Sequence, residues 1–365
     1  MSIAWEILEL ARWAPSGDNT QPWRFEVPAD DHIVVHAFDT RRGCLYDLGG
    51  RASQLSVGAL LETIRIAASL HGLSTEVARR AGDTDELPVF DVRLVPARTI
   101  AADPLHSAVR NRSVQRRPLS TRRLSEADKA ALARSLGDGH AVVWFEALRE
   151  RARLAWLAVR SARIRLTIPE AYAVHREVIA WNARFSDDRI PDQALGAGAA
   201  SLRSMRWAMQ SWERVRLMNR WFAGTLAPRL ELDLLPGLRC GAHFAIVASR
   251  DATTLDDQLA AGAAVQRFWL TAASRRLQLQ PQYTPLVFAA CARDKIAFTG
   301  DLEALARADE VNASLGALLG SKAAATVFLG RIGHGPAPVA RSLRLPMERL
   351  IWRADESPFA AARHA

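Results

Sequence analysis

Lysine is nearly absent from this chain: Lys129, Lys295 and Lys322 are the only three among 48 basic residues, and the rest are arginine. Positive charge is therefore carried by planar, permanently protonated forks that suit paired hydrogen bonds with phosphate or carboxylate. These arginines are interspersed with 39 acidic residues and form no run of five or six, so a net charge of +9 comes without a nucleic-acid-binding stripe. Cysteine is sparse too. Cys44, Cys240 and Cys291 lie far apart with no Cys-x-x-Cys pair, which excludes a disulfide framework or zinc ribbon and fits a reducing compartment. No apolar run reaches the ~18 residues that span a bilayer, and the N-terminus, with Glu6 and Glu9, lacks the basic-then-apolar pattern of a signal peptide. We expect a cytoplasmic protein that acts on small molecules, with neither nucleic acid nor a membrane as partner and no bound metal.

Familiar catalytic signatures are missing as well. There is no Gly-x-Gly-x-x-Gly fingerprint, no His-Glu-x-x-His pair and no Gly-x-Ser-x-Gly elbow, which argues against a Rossmann nicotinamide site, a zincin and an α/β-hydrolase. Gly316 to Lys322 resembles a phosphate loop but is one residue short and sits between helical segments, so it reads as a decoy. His175, on a helical stretch, reads as a surface or packing residue.

What is present is length and an apolar content of 49%, enough for two domains or one large duplicated one in 365 residues. Ile3, Ile7, Leu8, Leu10 and Ala11 predict a helix ended by Pro15. A strand at 32–38, a helix at 51–71 and a strand at 89–95 follow, and the same order recurs as a strand at 243–248, a helix at 257–275 and a strand at 325–329. The two helices align with Gly58 on Gly262, Ala68 on Ala272 and Leu73 on Leu277, which suggests an internal duplication. Residues 126–238 read as mostly helical and carry Trp156, Trp181, Trp207, Trp212 and Trp221. Leu202, Met205, Met209, Trp212 and Val215 recur at spacings of three and four, as on one amphipathic helix. The tryptophans fit either core packing or a lid, and Gly-Ala-Gly at 196–198 either a linker or its hinge.

Residues 14–25 put Ser16, Asn19 and Gln21 on a turn after the first helix, stiffened by Pro22 and Trp23. Their donors and acceptors suit the edge of a heterocycle, although an ordinary connector has the same composition. Arg110, Arg112, Arg116 and Arg117 crowd eight residues, with Arg122 and Arg123 behind them, and a second basic group (Arg331, Arg341, Arg344) lies near the C-terminus. Two such clusters converging on one phosphate would be a plausible anion site, and a solvated basic loop is the alternative.

Ala14-Pro15-Ser16 with Asn19, Gln21, Pro22 and Trp23 resembles the flavin-edge motif of the nitroreductase-like FMN protein family. In that family an Arg-x-Ser-x-Arg motif binds the FMN phosphate, and Arg112, Val114 and Arg116 look like its counterpart, with Val114 departing from the usual hydroxyl. Arg344, with Arg341 nearby, resembles the family's C-terminal basic residue, and Pro281-Gln282-Tyr283 the segment that brings backbone groups to the flavin N5. Asp47-x-x-x-Arg51 and the order of motifs resemble the Acg-like subgroup, in which two repeats are fused and hold one FMN under a lid.

The resemblance implies an α+β protein, a nitroreductase-like α/β sandwich that is internally duplicated with pseudo-twofold symmetry and a helical lid-like insertion. Residues 1–100 would form the first repeat with the flavin edge, 101–150 and 239–353 the second with the phosphate arginines, and 151–238 the insertion. The implied cofactor site is Pro15, Ser16, Asn19, Gln21, Arg112, Val114, Arg116, Pro281, Gln282, Tyr283, Arg341 and Arg344. The implied function is an FMN-dependent oxidoreductase that passes hydride from NAD(P)H through the flavin N5 to a nitroaromatic, quinone or other unsaturated molecule. A non-enzymatic FMN-sequestering protein and a specialised biosynthetic dehydrogenase are the alternatives. No side-chain acid or base is demanded, and Tyr283 is the nearest candidate. One chain would imitate the family's dimer, as a pseudo-dimeric monomer or as a homodimer of such units.

Overall fold

The computed structural model describes residues 2–97, 99–221 and 224–353. Its architecture is mixed helix and sheet. The first sheet is built from β1 (Trp23–Ala29), β2 (His32–Ala37), β3 (Leu73–Arg79) and β4 (Val89–Pro96), in the order β1-β2-β4-β3 with every pair antiparallel. The second is built from β5 (His140–Phe145), β6 (Ala242–Ala248), β7 (Gln278–Pro281) and β8 (Thr326–Gly333), in the order β5-β6-β8-β7, again antiparallel throughout. Position for position the two orders are the same. Phe90, Val92 and Leu94 alternate inward along β4, as a half-buried strand requires, whereas every residue of β8 is buried.

Helices α1 (Ile3–Ala11), α2 (Arg51–Ser69) and α3 (Glu126–Ser135) precede a long helical segment. That segment comprises α4 (Leu148–Arg165), α5 (Pro169–Val178), α6 (Ala199–Ala208), α7 (Trp212–Trp221) and a helical stretch at 226–238 with a π-helical turn at Arg229–Leu234. Then come α8 (Leu255–Ser274), α9 (Thr284–Arg293) and α10 (Leu302–Leu319). Whereas β1 and β2 are joined by the two residues Asp30 and Asp31, residues 146–241 stand between β5 and β6.

Helix α2 buries residues on all sides and packs against α8, so this pair forms the centre of the molecule. Glycine makes their approach possible. A Cβ on Gly58 would stand 2.1 Å from the Leu259 carbonyl oxygen, and one on Gly262 would stand 2.0 Å from that of Leu55. The contact is reciprocal: Leu55 and Gly58 stand to α8 as Leu259 and Gly262 stand to α2. Beside it Gln266 Nε2 donates to Thr63 Oγ1 at 2.9 Å, and Arg267 meets Glu62 and Asp103 at 2.8 Å each. Chain ends are tied in as well, since Phe25 N donates to the Leu350 carbonyl and Trp352 N to the Phe25 carbonyl along the free edge of β1.

Region 126–238 is mostly helical, as expected, with β5 within it. One expectation needs correction. The periodicity at 202–215 belongs to two helices, since Ser211 Oγ accepts from Arg214 N at 3.3 Å and starts a new helix. Gly196 adopts a φ of +91°, and a Cβ there would stand 3.1 Å from Arg116.

Candidate functional site

The turn after α1 is held in an expensive conformation. Asp18, Asn19 and Gln21 have φ of 47°, 65° and 48°, a region that side-chain-bearing residues avoid unless their surroundings over-determine it. Here they do. Gln21 Nε2 donates to the Asp187 carbonyl at 2.8 Å while its Oε1 accepts from Leu345 N at 2.9 Å. Asn19 Nδ2 also donates to the Asp187 carbonyl, and its Oδ1 accepts from Arg344 Nη1 at 2.9 Å. Ser16 Oγ accepts from Gln21 N at 3.0 Å, which leaves its proton free to donate.

This turn lines a cavity of about 740 Å³, within the range of small-molecule and cofactor sites. Eleven of the twelve residues expected at a cofactor site lie on its wall, from Pro15 and Ser16 through Arg112 and Arg116 to Arg341 and Arg344. Gln21 does not: its side chain is spent inward on the latches above, so it is a positioning residue of the turn. Arg331 is likewise not on the wall. Fully buried, it donates through Nη2 to the carbonyls of Gln115, Arg116 and Arg117, and through Nε to Gln280 Oε1, fixing the strip that carries Arg112 and Arg116. Val114 extends this strip beside Leu279, and the hydroxyl on the strip that reaches the wall is that of Ser113.

One end of the cavity is strongly cationic. Arg112 donates to the Trp13 carbonyl at 3.0 Å and lies 4.5 Å over the Trp269 ring, while Arg344 donates to the Ala14 carbonyl at 2.9 Å and Arg341 lies over Trp13. Burial pushes all three guanidinium groups below their usual range, and mutual repulsion adds to this for Arg112 and Arg344. Among the described residues none of the three meets a carboxylate, and Nε of both Arg112 and Arg341 is buried without a partner. Buried cations without counter-charge are costly, and an anion at this end would offset that cost.

The other end is mixed. Asp18 faces Arg116 and Arg165, and burial raises its carboxyl above the ordinary range despite their pull. Arg165 pairs through Nη2 with both oxygens of Asp233, at 3.0 and 3.2 Å. Tyr46 Oη lies 2.9 Å from His175 Nε2, and burial pushes the imidazole down to about 3, so it is neutral near pH 7. Of the two sequence readings of His175, surface or packing, the structure takes the interior one, on the cavity wall against Tyr46. Asp47 is fully engaged, accepting from the N–H and hydroxyl groups of both Thr40 and Ser53.

Between the ends, Tyr283, Thr284 and Pro285 bring the N-terminus of α9 to the cavity with no side-chain cap, so its dipole favours negative charge there. Gln282 is otherwise occupied. Its N–H donates to the Leu329 carbonyl, and its Oε1 lies 2.8 Å from His243 Nδ1. The opposite wall comes from α4 to α7 and the stretch after them, through Met205, Met209, Met218 and Leu232 among others.

Asp18 gives a first expected result. A carboxyl raised in the folded state binds its proton more tightly there than when unfolded, so its contribution to stability is present at low pH and lost as pH rises. Asp18→Asn should therefore melt above the parent protein at pH 7, with the gap narrowing towards pH 4; a lower melting temperature at pH 7 would contradict this assignment.

No family model matches the chain. Over 92 residues, a quarter of its length, it is 37% identical to a Mycobacterium tuberculosis protein called "Putative NAD(P)H nitroreductase acg", found in strains CDC 1551 / Oshkosh and ATCC 25618 / H37Rv. The matched stretch covers 27% of that relative. An uncharacterized protein of strain CDC 1551 / Oshkosh is 24% identical over 285 residues, 78% of this chain and 39% of its own.

Proposed function

We propose that the protein is a nitroreductase-like oxidoreductase that holds one FMN in this cavity. The observation that carries the reading is the cationic end: buried Arg112 and Arg344 with half-buried Arg341, none meeting a carboxylate among the described residues, drawn from the 112 strip and the C-terminal segment, at the end of a cavity edged by the Pro15 to Asn19 turn. A phosphate monoester would supply the missing counter-charge and relieve the repulsion among the three. The similarity of a quarter of the chain to a protein named as an NAD(P)H nitroreductase supports the same class.

When bound, FMN would supply two-electron chemistry at its N5, from NAD(P)H to a nitroaromatic, quinone or other unsaturated acceptor. The chain's own work is to bind, orient and enclose. Arg112, Arg341 and Arg344 hold the phosphate, Ser16 and Asn19 border the edge of the ring system, and Arg116 with the α9 N-terminus stabilises negative charge growing on it. The helical wall at 151–238 keeps bulk water out.

The domain reading belongs to the same proposal. Residues 1–100 form one repeat, and 101–150 with 239–353 form the other, with 151–238 inserted between two strands of the second. Support comes from the shared strand order and the reciprocal Gly58 and Gly262 contact. A second reading, FMN sequestration without turnover, draws on the helices that wall the cavity.

Anaerobic mixing of the purified holoprotein with NADH or NADPH separates the two. Bleaching of the flavin absorbance by either nucleotide within seconds is the expected result. No reduction by either would leave sequestration as the function.

A further inference from the structure

All three exposed tryptophans among the described residues fall in the helical insertion: Trp156, Trp207 and Trp221, at 54%, 41% and 68% exposure. Leu217, Leu226 and Leu230 are exposed close to Trp207 and Trp221 in sequence. Arginine is interleaved with them. Between 199 and 235 there are six arginines and three acids, and two of those acids are spent internally, Asp233 on Arg165 and Glu231 on the Gly198 N–H. Arg203, Arg216 and Arg220 are exposed, and on α4 Trp156 is flanked by exposed Arg153 and Arg160. The inward faces of α6 and α7 carry Met205, Met209 and Met218 to the cavity, so the two helices divide an inner apolar wall from an outer basic and aromatic face.

We propose that this outer face docks on the surface of an anionic lipid bilayer, with the tryptophan and leucine side chains in the headgroup boundary and the arginines on lipid phosphates. Helices with apolar and aromatic residues beside arginine lie in that plane, and each arginine adds electrostatic attraction. Charge complementarity selects this occupant. A second copy would set one arginine-rich face against another, and exposed leucines have no use against a nucleic acid. The lack of a helix long and apolar enough to cross a membrane does not bear on peripheral docking. The proposal is independent of the flavin reading.

Sedimentation of the purified protein with phosphatidylcholine vesicles, with and without a phosphatidylglycerol fraction, tests it. We expect at least ~tenfold more protein on the anionic vesicles, with binding lost in high salt. Trp207→Ser/Trp221→Ser should bind about tenfold less, and Arg203→Glu/Arg216→Glu/Arg220→Glu should not bind at all. Should either variant fail to fold, quenching of the parent protein's tryptophan fluorescence by brominated lipid is the equivalent result. Equal sedimentation with both vesicle types, or none, would overturn the proposal. So would a dimer in light scattering that Trp221→Ser dissociates, or retention on single-stranded DNA without vesicle binding.

Discussion

Arg112→Ala is expected to purify colourless and to bind added FMN about 100-fold more weakly than the parent protein, a loss of about 2.8 kcal/mol. Arg112 is buried against the Trp269 ring, fixed by the Trp13 carbonyl, and lies on the wall at the cationic end of the cavity. Among the described residues no carboxylate neutralises it. In the apoprotein its removal therefore breaks no ion pair and relieves repulsion on Arg344, so the apo melting temperature should hold or rise. That combination is the diagnostic. An arginine that served structure would lose stability on truncation and leave FMN affinity largely intact. Retention of stoichiometric flavin by Arg112→Ala would remove the phosphate assignment.

Gly262→Ala is expected to destabilise the protein by about 3 kcal/mol or more, or to leave it insoluble. The new methyl would stand 2.0 Å from the Leu55 carbonyl oxygen and 3.0 Å from Ala59 N, which are backbone atoms of a helix buried on every side. Relief requires α2 and α8 to separate, and with them the parts of the cavity wall that each helix contributes. Gly58→Ala should behave alike, because its contact with Leu259 is the reciprocal one. Gly316→Ala is the control: it lies in α10 with nothing within 4 Å of the added Cβ, so it should be neutral or stabilise by up to about 1 kcal/mol. Thermal melts of the three variants decide the matter, and a Gly262→Ala melt within a degree or two of the parent would contradict the close crossing.

The residues that carried most information in the sequence are those whose chemistry is local. Ser16 and Asn19 stand out because small polar residues cluster around Pro15 and Pro22, and Arg112 and Arg116 because arginine crowds one short strip. The alignment of Gly58 on Gly262 suggested a duplication in the sequence, and that each glycine faces the other helix's backbone is visible only in the structure. What was illegible depends on partners distant in sequence. Gln21 looks like a ligand residue until Asp187 and Leu345 are seen to take its amide. Arg331 reads as a phosphate arginine, yet it caps three carbonyls of the 112 strip. His175 becomes a cavity residue only through Tyr46, 129 positions away. The break between α6 and α7 was within reach, because Ser211 followed by Trp212, Glu213 and Arg214 is a helix-starting pattern that the hydrophobic period overrode.

The central claim is that the cationic end of this cavity holds a phosphate and the strained turn the edge of a flavin. Titration of the apoprotein with FMN and, separately, with riboflavin, followed by quenching of flavin fluorescence, tests it most directly. The account predicts one FMN per chain, bound at least ~100-fold more tightly than riboflavin, with the preference abolished in Arg112→Ala. Equal affinity for the two flavins, or binding of neither, would contradict it.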